Sequence, residues 1–384
     1  MSKVAIVKCE NYDYDRVKES VRSSLDLLGG ISSFVSPGEK VLLKVNLLIK
    51  RKPDKVTTTH PALARALAEL VLEAGAYPII GDSPGGYHFY NRNTLESVYE
   101  TCGMKEAAEL SGAVLNYDTD VVDVPYPQGK LMKAIKTIKP VLEVDKIISI
   151  PKIKTHAMTV YSGAVKNLFG VIPGSYKAEY HLRFEDTGDF ADVLLDICSF
   201  VKPVLTVMDA IVGMQGYGPT NGTPKQVGLV IASANPYELD VVASKIIGLK
   251  PKQVPTVRKS MERGLCSGEP EDVDVVGERI GDVSVSDYRI PTLKLSFNFY
   301  DLMMPRFISK RLNRVMRAKP YFKHDLCKSC GMCAKGCPPK AIEMKDGKPE
   351  VDIDRCIRCF CCHELCVYNA VEIKRPWWLK LILR

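Results

Sequence analysis

No apolar run in these 384 residues approaches the roughly 20 that a membrane-spanning helix needs. The opening MSKVAIVKCENYDYD is a short apolar run met at once by acids, with no small-residue cleavage site, so no secretory leader is expected. Neither a G-x4-GK[ST] phosphate loop nor a G-x-G-x-x-G dinucleotide turn occurs. Charge of one sign is not in large excess: 53 Lys and Arg against 45 Asp and Glu leave a net +8, which suits an anionic substrate or partner without specifying one. No nucleic-acid partner is expected. These absences point to a cytoplasmic chain, where thiols stay reduced and clustered cysteines signal metal or redox chemistry before disulfides.

What is present is enough chain for more than one domain, with 46% apolar residues to build cores. Through about residue 290, strand-like and helix-like stretches alternate. VAIVKC, KVLLKVNLL, YPII, DKIISI, PVLTVMDA and QVGLVIAS read as strands. VKESVRSSLDLL, HPALARALAELVLEAGA, TLESVYETCGMKEAAELSG, DFADVLLDICSFV and PYELDVVASKIIGL read as helices. In the second helix, Leu63, Leu67, Leu70, Val71 and Ala74 share a face, Pro61 suits the first turn and Gly75 the stop. The pattern predicts an α/β domain over 1–290 with a largely parallel sheet and flanking helices, its ligands at the carboxyl ends of the strands. Residues 291–320 are predicted to be a linker. Its stretch PRFISKRLNRVMRAKP carries no acid and reads first as a solvated helix, second as a docking face for an acidic partner or an anionic membrane. The tail 376–384 holds Trp377 and Trp378, expected to pack rather than to touch a membrane.

Of 13 cysteines, nine fall between Cys327 and Cys366. CKSCGMCAKGCPPKAIEM, from Cys327, is repeated by CIRCFCCHELCVYNAVEI, from Cys356, each with C-x2-C-x2-C-x3-C. Soft thiolates suit iron–sulfide cubanes, and three close cysteines plus a remote fourth satisfy one. The expected sets are Cys327, Cys330, Cys333 and Cys366 for one [4Fe–4S] cluster, and Cys356, Cys359, Cys362 and Cys337 for another; the crossing of the fourth ligand is the known arrangement for this run. Structural zinc fits two triads with remote fourth ligands poorly. Residues 321–375 resemble the bacterial two-cluster ferredoxins at all eight ligand positions, which implies a small α+β domain. Pro338 follows the first fourth cysteine as in that family, whereas Val367 stands at the second, leaving local geometry there in question. Cys361 falls outside the repeat, since Met332 holds its place in the first half, and is the spare thiol.

In IISIPKIKTHAMTVYSGAVKNLFG, an extended chain puts Lys152, Lys154 and His156 on one face, suited to a carboxylate or phosphate. Ser162 and Gly163 then precede a helical turn with Lys166 and Asn167, whose opening N–H groups also favour anions. Lys44 and Asn46 lie among apolar neighbours and need a reason; snorkelling is the plain one. Asp82 and Ser83 follow a strand, where a tight turn is the plain reading. Asp209, read as ending its strand, is a candidate general base or metal ligand; Asp240 reads as a helix-dipole partner. KVNLL, TTTHPALARALAELVLEAGA, GDSPGG, PKIKTHAMTVYSGAVKNLFG and VMDAIVGMQGYGP together resemble the uncharacterised family called domain of unknown function 362, which implies an iron–sulfur centre protein but no reaction. His156 with Tyr161-Ser162-Gly163-Ala164-Val165-Lys166 is faintly similar to the lactate racemase group.

The reading is therefore an iron–sulfur electron-transfer protein, an oxidoreductase passing electrons from two [4Fe–4S] clusters to an anionic substrate or cofactor in the α/β domain. His156 and Asp209 are the catalytic candidates. Lys44, Asn46, Asp82, Ser83, Lys152, Lys154, Lys166 and Asn167 are the binding candidates. The alternatives are a non-enzymatic carrier or binding module that docks a redox partner, and a racemase-like isomerase with peripheral clusters.

Overall fold

The computed structural model describes residues 3–85, 89–291 and 318–374. The chain divides into two compact units, Met1–Pro291 and Thr292–Arg384. Most of the basic stretch of the expected linker, Trp377 and Trp378 with the rest of the tail, and Gly86 of the GDSPGG loop lie outside the described residues.

A ten-stranded mixed sheet organises the first unit. Across it run Asp274–Gly277, Lys3–Lys8, Thr223–Ser233, Leu205–Gln215, Lys146–Ser149, Lys40–Lys44, Tyr77–Gly81 and Val114–Leu115. Thr223–Ser233 is antiparallel to both neighbours, and the other pairings along this path are parallel. Lys152–His156 pairs with the Leu205–Gln215 strand in parallel and with Val160–Ser162 antiparallel.

The alternation of side chains explains why Val41, Leu42 and Leu43 are all apolar. Val41 and Leu43 enter one core with Val17, Val21, Leu63 and Leu67, while Leu42 enters a second with Phe190, Leu194 and Ile197. Helices thus cover both faces, as a buried parallel sheet requires. The helix Pro61–Glu73 is opened by His60, whose Nδ1 accepts the Ala62 N–H at 3.2 Å, and Pro61 sits in its first turn.

Three expectations change. The single helix drawn over 94–112 is two, Arg92–Thr101 and Met104–Ser111, because Gly103 takes φ +76° and a side chain there would begin 2.9 Å from Pro61 Cγ. Asp209 does not end its strand: Leu205–Gln215 runs past it, with an irregularity between Ala210 and Val212. A hairpin of Val121–Pro125 and Ala134–Ile138 was not foreseen.

In the second unit, Lys319–Phe322 pairs with Val371–Lys374 and Ile342–Lys345 with Lys348–Val351, all antiparallel, around two short helices, Met332–Lys335 and Cys361–Leu365. The duplication persists in the backbone. Left-handed φ values at Ser329, Gly331 and Lys340 recur at Arg358, Phe360 and Asn369.

Candidate functional site

The register of the parallel strands assembles a polar layer at their carboxyl ends. Lys44 stands beside Gly81 and Ser149, and Asp82 follows Gly81 directly. Lys44 Nζ lies 2.6 Å from Asp82 Oδ1 and donates to the carbonyls of Val45 and Asn167 at 2.8 and 3.2 Å. All three N–H bonds of the ammonium are thereby used. Asp82 also accepts the Leu47 and Ser83 N–H groups at 2.7 and 2.8 Å. Burial lowers the Lys44 pKa and the Asp82 charge opposes it. Lys44 is thus a paired core lysine, not a snorkelling one.

A second pair forms where Lys152 stands in register with Asp209. Lys152 Nζ is 2.9 Å from Asp209 Oδ2 and 2.5 Å from Tyr12 Oη, and Tyr12 donates to Asp209 Oδ1 at 2.8 Å. The irregular stretch after Ala210 frees the Val212 N–H to donate to Tyr12 Oη at 3.2 Å; bulges re-aim groups in this way near functional sites. Asp209 Oδ2 also accepts the His60 N–H at 2.9 Å, and the His60 ring stacks on Tyr12 with centroids 3.6 Å apart. Burial, then the Asp209 charge, raises the Tyr12 pKa well above an ordinary phenol, so it stays protonated. Burial foremost brings His60 down to about 4, so its ring is neutral near pH 7. The residue pattern pointed to neither side chain. Tyr12 sits in an acid-rich loop without periodicity, and His60 drew notice only as the start of a helix.

Lys154, also buried, donates to Asn46 Oδ1 at 2.6 Å and to the Thr57 carbonyl at 2.8 Å. Asn46 Nδ2 donates to Asn167 Oδ1 at 3.0 Å, and Asn167 Nδ2 to Ser149 Oγ and the Lys44 carbonyl at 3.0 and 3.2 Å. The structure therefore links Lys154, Asn46, Asn167 and Lys44 in one network. Lys152 belongs to the other, although two residues along the same strand. His156 Nδ1 accepts from the N–H groups of Met158 and Thr159 at 3.0 and 3.3 Å and so shapes its own turn. Ser83 Oγ accepts from the Gly174 N–H at 2.7 Å and from Lys177 Nζ at 3.2 Å. Lys177 was not singled out from sequence; burial pulls it down to about 7. Lys166 Nζ lies 5.4 and 5.8 Å from the Phe169 and Phe190 ring centres.

The helical turn Ala164–Asn167 does offer anion-binding N–H groups, but the protein fills them itself. The Ala164 and Val165 N–H groups donate to the Asp240 carboxylate at 2.7 and 3.0 Å, and Tyr161 Oη adds a third bond at 3.0 Å. Asp240 thus serves this turn rather than the start of its own helix. Burial outweighs these donors and pushes it up to about 6.

In the second unit thiols of the two halves of the duplication lie close together, with Cys333, Cys337, Cys362 and Cys366 around one small core. The charges bearing on Cys333 are those of Cys366, Cys330 and Cys327, and those bearing on Cys337 are Cys359 and Cys356. Those bearing on Cys362 include Cys333 as well as Cys337, Cys356 and Cys359. Backbone N–H groups reach the crossing sulfurs identically, Ala341 to Cys337 Sγ and Ala370 to Cys366 Sγ, both at 3.2 Å. Val367 in place of proline therefore leaves the local geometry intact. Among the described residues no three or more His, Cys, Asp or Glu converge as for a single ion. A cubane takes one thiolate at each iron and so asks for a wider spread of thiols than a single ion does. Cys361 makes a hydrogen bond with the Cys359 thiol and lowers its pKa.

Residues 41–245 match the family described as a domain of unknown function (DUF362), and residues 319–367 match a 4Fe-4S dicluster domain. The thylakoid-associated protein sll1697 of Synechocystis sp. (strain ATCC 27184 / PCC 6803 / Kazusa) is 32% identical over 269 residues, 68% of this chain and 79% of that protein. Among solved structures, the lactate racemase apoprotein from Thermoanaerobacterium thermosaccharolyticum gives a TM-score of 0.37 at 12% identity, over 60% of this chain and 53% of that one. A structural-genomics protein from Thermotoga maritima gives 0.35 at 14%, over 59% and 57%. The chain spans little more than half the length of either. No helix among the described residues is long and apolar enough to cross a membrane. With its paired lysines at the sheet edge and its two thiol groups, the chain is an iron–sulfur protein and belongs to the DUF362 family.

Proposed function

We propose that this chain is an oxidoreductase that carries electrons on two [4Fe–4S] clusters and delivers them to an anionic substrate or cofactor in its α/β unit. One observation supports the reading above the rest: residues 319–367, which contain both C-x2-C-x2-C-x3-C runs, match a 4Fe-4S dicluster domain. Cys327, Cys330, Cys333 and Cys366 would hold one cluster, and Cys356, Cys359, Cys362 and Cys337 the other. When bound, such clusters supply one-electron chemistry. The protein's own residues do the rest. Lys152 and Lys154 place positive charge at the carboxyl edge of the sheet, where open α/β sheets bind ligands. Asp209 accepts hydrogen bonds from Lys152, Tyr12 and His60 and holds those groups in place. Tyr12, kept protonated by burial and by Asp209, holds that carboxylate beside Lys152 by a hydrogen bond. A cytoplasmic setting belongs to the same proposal.

A second reading, a carrier whose large unit docks a partner and performs no chemistry, has its own support: Lys44 spends every N–H inside the fold. Two measurements decide. Anaerobic analysis of the full chain should find about eight iron and eight sulfide per chain; zinc without sulfide overturns the cluster assignment. Thermal unfolding in inorganic phosphate and in acetate should show stabilisation that Lys154→Ala weakens. No shift in the wild-type protein with either anion favours the carrier.

A further inference from the structure

The two thiol groups are not equivalent, and the triad of the first half is the more open of the two. The repeat allows position-by-position comparison. Cys330 is exposed, whereas its counterpart Cys359 is buried; Cys333 is half-buried, and Cys362 is buried. Ser329 is exposed, and Arg358 in its place is buried. The first half is also the more cationic in what it shows to solvent. Lys328 and Lys335 are exposed, and among the described residues neither has an ion pair; their counterparts are Ile357 and Glu364. Elsewhere in this unit, Lys323 and Lys345 are each matched to a glutamate.

Resting on the two-cluster electron-transfer reading above, we infer that the site of Cys327, Cys330, Cys333 and Cys366 is the electron-exchange port of this chain, and that it docks an acidic one-electron carrier protein through Lys328 and Lys335. Exposure of a ligating sulfur shortens the path from a docked donor. Unpaired lysines on the same wrapping segment attract an acidic surface, raise the encounter rate and fix its register. The second site, with Cys359 and Cys362 buried and Cys356 and Cys337 half-buried, is the less accessible to carriers in solution. The step is the passage of one electron from the reduced carrier to the cluster held at the first site. No bond forms or breaks and no proton moves; the carrier is oxidised by one electron and the cluster reduced by one.

The test uses the full chain, reconstituted anaerobically, with a flavodoxin of net negative charge as the probe and stopped-flow absorbance as the readout. The second-order rate constant for reduction by the flavodoxin hydroquinone should fall at least tenfold between about 20 and 300 mM salt. Lys328→Glu with Lys335→Glu should slow the reaction tenfold or more at low salt and flatten its salt dependence. Lys345→Glu with Lys374→Glu, the same change in net charge placed on the two strand pairs, should slow it less than threefold. If the second pair slows the reaction as much as the first, or if neither does, the port is elsewhere and the inference falls. Iron and sulfide analysis and the rate of reduction by dithionite accompany each variant. Loss of iron in the double glutamate variant transfers the comparison to Lys328→Ala with Lys335→Ala, where a threefold or greater slowing is required. A wild-type chain that binds no iron and sulfide fails the electron-transfer reading itself, a result separate from unchanged rates in loaded protein.

Discussion

Lys44 and Asp82 meet at 2.6 Å in a space that exists only because residue 170 has no side chain: a Cβ there would lie 2.3 Å from Asp82 Oδ1 and 2.4 Å from Lys44 Nζ. Both side chains are almost wholly enclosed, so neither charge can turn to water if the other is removed. Lys44→Met or Asp82→Asn should each cost about 3–5 kcal/mol, the usual penalty for orphaning half of a buried ion pair. Gly170→Ala, which adds one methyl group, should destabilise the chain by about 1–3 kcal/mol or more through overpacking. Denaturant unfolding followed by far-UV circular dichroism checks all three. A loss under 1 kcal/mol for Lys44→Met would show that the pair is not the anchor the geometry describes.

How far the residues alone pointed to this arrangement depends on what kind of signal each carried. The cysteine repeat is local and chemical, so its spacing alone marked the module that matches a 4Fe-4S dicluster domain. The parallel strands were visible because burial on two faces demands continuous apolar runs such as Val41-Leu42-Leu43. Lys44, Lys152 and Lys154 stood out because a cation in such a run has to be explained. Their partners did not stand out. The pairing of Lys152 with Asp209 depends on strand register and Tyr12 on a loop nearly 200 positions away, and neither leaves a periodic trace. The anion-binding promise of the Ala164 turn misled for the same reason: the carboxylate that fills it comes from Asp240 on a distant helix.

His181 gives the fold an acid-sensitive point. It is buried, stacked on Phe190 with ring centres 4.6 Å apart, and its Nδ1 has no hydrogen-bond partner among the described residues. Burial first, and the Lys166 charge second, bring its pKa down from 6.5 to about 3. The folded protein therefore binds fewer protons here than the unfolded chain between those values, so stability rises with pH across that window. The contribution is complete above about 6.5 and is lost as pH falls towards 3. His181→Phe should remove that slope. Between pH 7 and 4.5 the wild-type protein should lose on the order of 2–3 kcal/mol more than the variant. Melting curves over that range, taken on both proteins, measure the difference, and parallel curves would refute it.

The five cysteines from Cys356 to Cys366 should divide sharply under substitution. Cys361 has methionine as its counterpart and bonds to the Cys359 thiol without being needed in either group of four. Cys361→Ala should keep about eight iron and eight sulfide per chain, whereas Cys359→Ala should lose or convert one cluster. Gly336→Ala belongs with the damaging changes, since its Cβ would begin 2.1 Å from Leu365 Cδ1, where the two short helices pack. Anaerobic metal analysis with electron paramagnetic resonance distinguishes these cases. Full iron content in Cys359→Ala would mean that Cys361 takes its place.

Tyr12, Lys152 and Asp209 form a closed triangle in which every edge is a hydrogen bond, at 2.5, 2.9 and 2.8 Å. Such a unit should respond to mutation as one body. Tyr12→Phe leaves the Val212 N–H without its acceptor and removes one donor from Asp209, a loss of about 1–3 kcal/mol. Asp209→Asn leaves the buried Lys152 charge unmatched and should cost about 3–5 kcal/mol. The double variant should fall short of the sum by about 0.5–3 kcal/mol, because the second change removes bonds already broken by the first. A double-mutant cycle by chemical denaturation measures that coupling. Strict additivity would show that Tyr12 merely caps the bulged strand. Strong coupling would mark Tyr12 as part of the polar machinery at the sheet edge, and a proton donor acting there must draw on the same three bonds.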